Sequence, residues 1–276
     1  MNATEAAERV DAYIKYLEEK ELSQVTIGKY RRDIADFLQT QGNSEFKKQN
    51  LIDYRMERLK NHQVSSVNSY IISINQFFRW LGHGELAVKT LRLQRRSGLE
   101  NVLNREEYFR LLQTAISSGR HRDYLLLRTL AATGIRVSEL SAITCEAVSQ
   151  GSTELEGKKK FRKIYLPETL IEELLDYCAK QELSSGPIFR GQRSGKPLLP
   201  SSVWKIIKRT AQRGGVDLDK AYPHSLRHLF AKTYMRKVGN IFELADLLGH
   251  SSVETTRIYA RSSCEEEWHS VNALGL

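Results

Sequence analysis

The sequence lacks most of what builds a membrane, secreted or metal-dependent protein. No apolar run in its 276 residues approaches the roughly 18 that a bilayer-crossing helix needs. The opening MNATEAAERVDAY has no basic stretch leading into an apolar one, so no secretory leader is expected. Cys145, Cys178 and Cys264 lie far apart in the chain and are odd in number. That excludes a disulfide framework or a zinc cluster and suits a reducing cytosol. GxxxxGK[ST], GxGxxG after a strand, HExxH and CxxC are all missing, so no metal and no cofactor is expected. Proline is scarce as well. All five prolines lie between Pro167 and Pro223, which leaves the first 166 residues open to long, unbroken helices.

Acidic residues are in deficit: 42 Lys and Arg face 33 Asp and Glu, a net charge of +9. Such a surface favours an anionic partner, nucleic acid or a membrane face, and the absence of apolar spans makes nucleic acid the expectation. The excess is concentrated. Between Gly186 and Lys237 stand 12 basic and only 2 acidic residues, which puts the expected phosphate-facing surface in the second half of the chain.

Hydrophobic spacing predicts a mainly α fold with a small antiparallel β-sheet. Residues 1–92 read as a four-helix domain, with Ser23 as a cap and Gly82 and Gly84 ending the fourth helix. Residues 93–103, within the basic stretch KTLRLQRRSGLEN, read as a linker able to lie along phosphates. The second domain, 104–276, opens with Asn104 and Glu107 as a capping box, then a central apolar helix over Asp123–Thr133. GSTELEGKKKFRKIYLP reads as a strand, a lysine turn and a strand. Helices follow at 169–181, 201–213, 224–238, 241–248 and 252–260.

Three short segments of that domain carry the residues able to do chemistry. In TGIRVSEL, Arg136 stands where a new helix begins, with Glu139 placed to hold its guanidinium. In HSLRH, His224 and Arg227 share a helix face at i and i+3, with His228 beside His224 at i+4. In LLGHSSVETTRIYAR, His250 lies in a turn after Gly249, and Tyr259 sits late on the next short helix. Taken singly, these residues read as a structural ion pair, surface histidines at a capped helix start and a half-buried packing tyrosine.

Together, in this order and spacing, they resemble the tyrosine recombinase (phage integrase) family, and SQVTIGKYRRDIADFL resembles its helical, SAM-like core-binding domain. The resemblance spans nearly the whole chain and is closest to compact Xer-like and mobile-element integrases. It implies a site-specific recombinase with Arg136, His224, Arg227, His250 and the nucleophile Tyr259 as catalytic residues. The family's hairpin lysine falls on Lys158, with Lys160 as the alternative. Tyr259 would form a 3′-phosphotyrosine on duplex DNA, His224 would take its proton and the lysine would protonate the 5′-oxygen. Four protomers would exchange strands through a Holliday junction, with Lys29, Arg32, Arg95 and Arg96 as candidate duplex contacts. No arm-binding domain is expected before the first helix, and Glu265 to Ala273 would be the segment available to a neighbouring protomer. A cytoplasmic, nucleoid-associated protein follows. The competing expectations are a non-catalytic DNA-binding regulator and a type IB topoisomerase-like enzyme.

Overall fold

The structure, a computed structural model, describes residues 1–42, 45–92, 101–156, 161–191, 195–250 and 252–260. The chain divides into two compact units, Met1–Arg96 and Ser97–Leu276.

The first unit is built from α1 (Ala3–Glu19), α2 (Gln24–Gln39), α3 (Lys48–Leu59) and α4 (Val64–Trp80). Side-chain caps begin the first two: Asn2 and Glu5 form a capping box, and Ser23 accepts from the Thr26 amide. The apolar stripes then meet in one core, with Tyr13 and Ile14 from α1, Ile34 and Phe37 from α2, and Ile71, Ile74, Phe77 and Phe78 from α4 all buried. Phe78 meets the rings of Phe37 and Phe46 edge-on, at 5.9 and 5.4 Å between centroids. Beyond α4 the chain turns at Gly82, in the left-handed region at φ +85°. It is then stapled back by buried Asn75, which accepts from the Val88 amide and donates to its carbonyl.

The second unit contains α5 (Arg105–Ser117), α6 (His121–Thr133), a 3₁₀ helix at Val137–Ala142, and α7 (Cys145–Ser149). A hairpin of β1 (Ser152–Glu156) and β2 (Phe161–Tyr165) follows, paired antiparallel with Ser152 opposite Tyr165 and Glu156 opposite Phe161. Then come α8 (Glu168–Lys180), α9 (Pro200–Arg213), α10 (Pro223–Lys237) and α11 (Ile241–Leu248). α6 is the central element, with Leu125, Leu126, Leu127 and Leu130 all buried. It packs against α5, α8 and α10. Among the described residues, no helix is long and apolar enough to cross a membrane.

One expectation needs correction. Residues 252–260 do not form one α-helix but two 3₁₀ turns, Val253–Thr255 and Arg257–Tyr259. The segment VETTRIYA offers two β-branched threonines and no repeating apolar stripe, so tertiary contacts decide its winding. Cys145 and Cys178, distant in sequence, are neighbours in space, with their sulfurs 3.7 Å apart, both buried and unbonded. Burial and the Cys145 thiol push the Cys178 thiol up to about 12, so the pair packs as two small hydrophobes. The lysine turn with Lys158 and Lys160, Arg95 and Arg96 with most of the linker, and the Glu265–Ala273 segment lie outside the described residues.

Candidate active site

Two helices end on glycines whose conformation no other residue adopts easily, and Arg227 reaches both ends. Gly134 closes α6 at φ +62°, and a Cβ there would strike the Phe230 ring. Gly249 closes α11 at φ +61°, and a Cβ there would fall on the Arg162 guanidinium. Each turn leaves main-chain carbonyls free to accept.

Arg136 follows the first glycine. Its Nη2 donates to the Gly249 carbonyl (3.2 Å), its Nη1 to Glu139 Oε1 (3.0 Å), and its amide to Glu139 Oε2 (2.7 Å). Arg227, in the second turn of α10, is only 5% exposed. Its Nη1 donates to the Gly134 carbonyl (2.6 Å) and its Nη2 to the Leu248 carbonyl (2.5 Å). Neither bond consumes its charge. His224 and His228 stand one turn apart on α10, their rings edge to face at 6.4 Å. His250 follows Gly249, with its Nδ1 2.8 Å from the hydroxyl of buried Thr256. Tyr259 packs with Ala231, Leu244 and Leu248 in a small cluster apart from the main core. Its hydroxyl lies 2.5 Å from His228 Nδ1.

The electrostatics follow from burial beside cations. Desolvation, then Arg227 and Arg136, lowers the His224 pKa. Desolvation together with His224, Arg227 and Lys232 takes His228 down to about 4. Desolvation together with Arg227, Arg136, Arg162 and His228 does the same to His250. All three imidazoles are therefore neutral at pH 7, each with one N–H to donate and one lone pair to accept. Burial raises Tyr259 to about 12, with Arg227 pulling the other way. Arg227 itself is lowered to about 10 by burial and its two arginine neighbours, and stays charged at neutral pH.

Sequence reasoning thus named Arg136, His224, Arg227, His250 and Tyr259, and the fold gathers them around the end of α11 and the start of α10. Two further residues belong here. His228 read as a surface histidine, yet it is the imidazole that touches Tyr259. Nothing in its spacing signals a partner 31 residues away. Arg162, on β2, was not singled out by the sequence. It shares the inward face of β2 with buried Ile164, and that period of two was the available signal. In the first unit, Lys29 is turned inward onto Asp33, Ser73 Oγ (3.0 Å) and the Ser69 carbonyl (3.3 Å), so its ammonium is engaged within the domain. Arg32 is exposed. Among the described residues, no His, Cys, Asp and Glu side chains are grouped to hold a metal ion.

Comparison with known proteins gives this arrangement a context. Residues 101–266 match the Phage integrase family, and residues 10–84 match the phage integrase N-terminal SAM-like domain. The chain is 29% identical over 276 residues to tyrosine recombinase XerA of Pyrococcus furiosus, covering 98% of this chain and 95% of XerA. It is 30% identical to tyrosine recombinase XerD of Staphylococcus saprophyticus, over 92% of this chain and 94% of XerD. Its fold is similar to that of lambda integrase in a tetramer bound to a Holliday junction. The TM-score is 0.74 at 20% identity, over 94% of this chain and 79% of the other.

Proposed function

The chain belongs to the phage integrase family of tyrosine recombinases, and from that premise we propose that it cuts and rejoins duplex DNA at specific sites through Tyr259. One observation carries the reading: Arg136 and Arg227 meet at the carbonyl end of α11, in the unit that holds Tyr259 against His228. Arg227 is held by main-chain carbonyls, and Arg136 shares its one carboxylate, Glu139, with Arg162, so the group keeps positive charge for a ligand. A scissile phosphate is the anion such a pair suits.

In the proposed step, Tyr259 Oη attacks phosphorus and the P–O5′ bond breaks, leaving a 3′-phosphotyrosine and a free 5′-hydroxyl. The new bond preserves the phosphodiester, so the reverse attack by a 5′-hydroxyl rejoins DNA without an energy source. Negative charge grows on the non-bridging oxygens, where Arg136, Arg227 and the N–H groups of His224 and His250 act as fixed donors. The phenolic proton stays on Tyr259 until the O–P bond forms and the oxygen's basicity collapses. His228 is the acceptor within reach, and takes the role that the resemblance had led us to expect of His224. Lys158, or Lys160, would protonate the departing 5′-oxygen. Residues 1–92 would clamp the duplex with Arg32 among the phosphate contacts, 93–103 would link, and 104–276 would catalyse. Arg95 and Arg96 would extend the phosphate contacts along the linker. Four protomers on two sites would pass through a Holliday junction, at the nucleoid in the cytoplasm.

The test is to express wild type and Tyr259→Phe in cells carrying the native genome, denature, and sequence the DNA left attached to protein. Adducts at a few discrete loci in wild type, with none in the mutant, are expected. Scattered tyrosine-dependent adducts would indicate topoisomerase-like action, and equal signals from both proteins a DNA binder.

A further inference from the structure

Arg162 has no role in the chemistry above, yet it is the residue that joins the site's parts. It enters from β2, directly after the lysine turn, with its side chain 10% exposed. Its Nη2 donates to Glu139 Oε2 (2.5 Å), the same oxygen that accepts from the Arg136 amide. Its Nη1 donates to the Leu248 carbonyl (2.6 Å), the same oxygen that accepts from Arg227. Arg162 thus shares one acceptor with each of the two arginines assigned to the phosphate. Its buried Nε has no hydrogen-bond partner.

Stability alone does not account for such a residue. A third guanidinium beside two others adds like-charge repulsion: beyond burial, Arg136 lowers the proton affinity of Arg162, and Arg136 and Arg162 lower that of Arg227. A buried cation with one carboxylate shared between two arginines, and one nitrogen unsatisfied, costs more than an apolar side chain of equal volume. What the arginine adds is geometry. Its planar fork fixes the distance between Glu139, on the 3₁₀ helix after α6, and the last carbonyl of α11. Gly249 is shaped to the same end, since any side chain there would displace the guanidinium.

Resting on the recombinase reading, we infer that Arg162 is a positioning residue. It sets the orientation of Arg136 through Glu139 and of Arg227 through the Leu248 carbonyl, and it ties strand β2 to both. It does not itself touch the phosphate.

The experiment compares the full-length wild type, Arg162→Met, Arg162→Lys, Arg136→Ala and the Arg162→Met/Arg136→Ala double variant. Duplexes carrying a locus from the adduct map serve for melting, DNA affinity and single-turnover cleavage. Arg162→Met keeps length and apolar volume while removing the fork. Its cleavage rate should fall about 10- to 100-fold, the range for outer-layer supports of a site, with affinity unchanged within about threefold. In the Arg136→Ala background the same change should cost less than it does in the wild type, because one of the two groups it orients is already gone while Arg227 remains. Arg162→Lys, which cannot make both bonds at once, should be about tenfold slow, and it decides the matter if the Met variant does not fold. Either single variant cleaving at the wild-type rate overturns the inference, and so do losses that multiply in full in the double variant. A wild type that forms no adduct overturns the parent reading and this inference with it. Wild-type adducts with an unaffected Arg162→Met overturn this inference alone.

Discussion

In the first unit, buried Asp33 and half-buried Asp36 each meet an opposite charge. Asp33 accepts from Lys29 and from the Ser73 hydroxyl (2.7 Å), and Asp36 accepts from Arg58 and from the Tyr54 hydroxyl (2.5 Å). In the second unit, Arg227 is as deeply buried as Asp33, yet its two hydrogen bonds end on main-chain carbonyls, and a single carboxylate, Glu139, serves both Arg136 and Arg162. A closed pair serves stability and leaves little field outside itself. A guanidinium held by neutral dipoles is oriented but not neutralised, and its field remains for a ligand. The same residue types therefore do different work in the two halves of one chain.

The contrast can be broken at its strong end first. Arg136→Ala should lower the cleavage rate by about 10²- to 10³-fold, the loss found on removing one preorganised donor to a developing oxyanion, with little change in melting temperature. Single-turnover cleavage within about threefold of wild type would contradict the assignment. The counterpart in the first unit is Asp33→Asn, which leaves Lys29 without its carboxylate. It should cost about 1–3 kcal/mol of stability, measured by urea denaturation, while cleavage per bound complex stays at the wild-type value. A cleavage defect at full DNA occupancy would erase the distinction between the units.

The smallest effect is a pH dependence. His228 and His250 have folded-state values near 4 against an ordinary 6.5, so between those limits the unfolded chain binds more protons than the folded one. Their contribution to stability is complete above about pH 6.5 and is lost as pH falls toward 4. The melting temperature should therefore drop between pH 7.5 and 5.5, and drop less in a His228→Asn variant. A flat profile over that range would count against two neutral, buried imidazoles.

Much of this fold could be read directly. The helix starts at Asn104 and Ser23, the apolar stripes of α2 and α4, and the hairpin all follow from local rules, because caps and periodicity act within one or two turns. The site was legible in residue type but not in contact. Which imidazole meets Tyr259 depends on how α10 and the last 3₁₀ turn pack, and the spacing of HSLRH carries no trace of it. Arg162 drew no reading from the sequence, because nothing in its residue type sets it apart from the basic residues Lys160 and Lys163 beside it. The contact of Lys29 was legible too: Asp33 stands four residues on, the spacing at which a helix pairs opposite charges, and the two side chains meet. The two cysteines were judged by separation along the chain, which says nothing of distance in a folded domain.

That Arg227 and Arg162 both end on the Leu248 carbonyl bears on how the site tolerates mutation. An acceptor supplied by the main chain is not deleted when the side chain above it changes. Exchanging Leu248 for another residue that fills the cluster with Ala231, Leu244 and Tyr259 leaves the oxygen in place. The vulnerable points of the proposed phosphate site are therefore the arginines and the two glycines that aim the helix ends, while Leu248, whose oxygen does the holding, need only keep its volume.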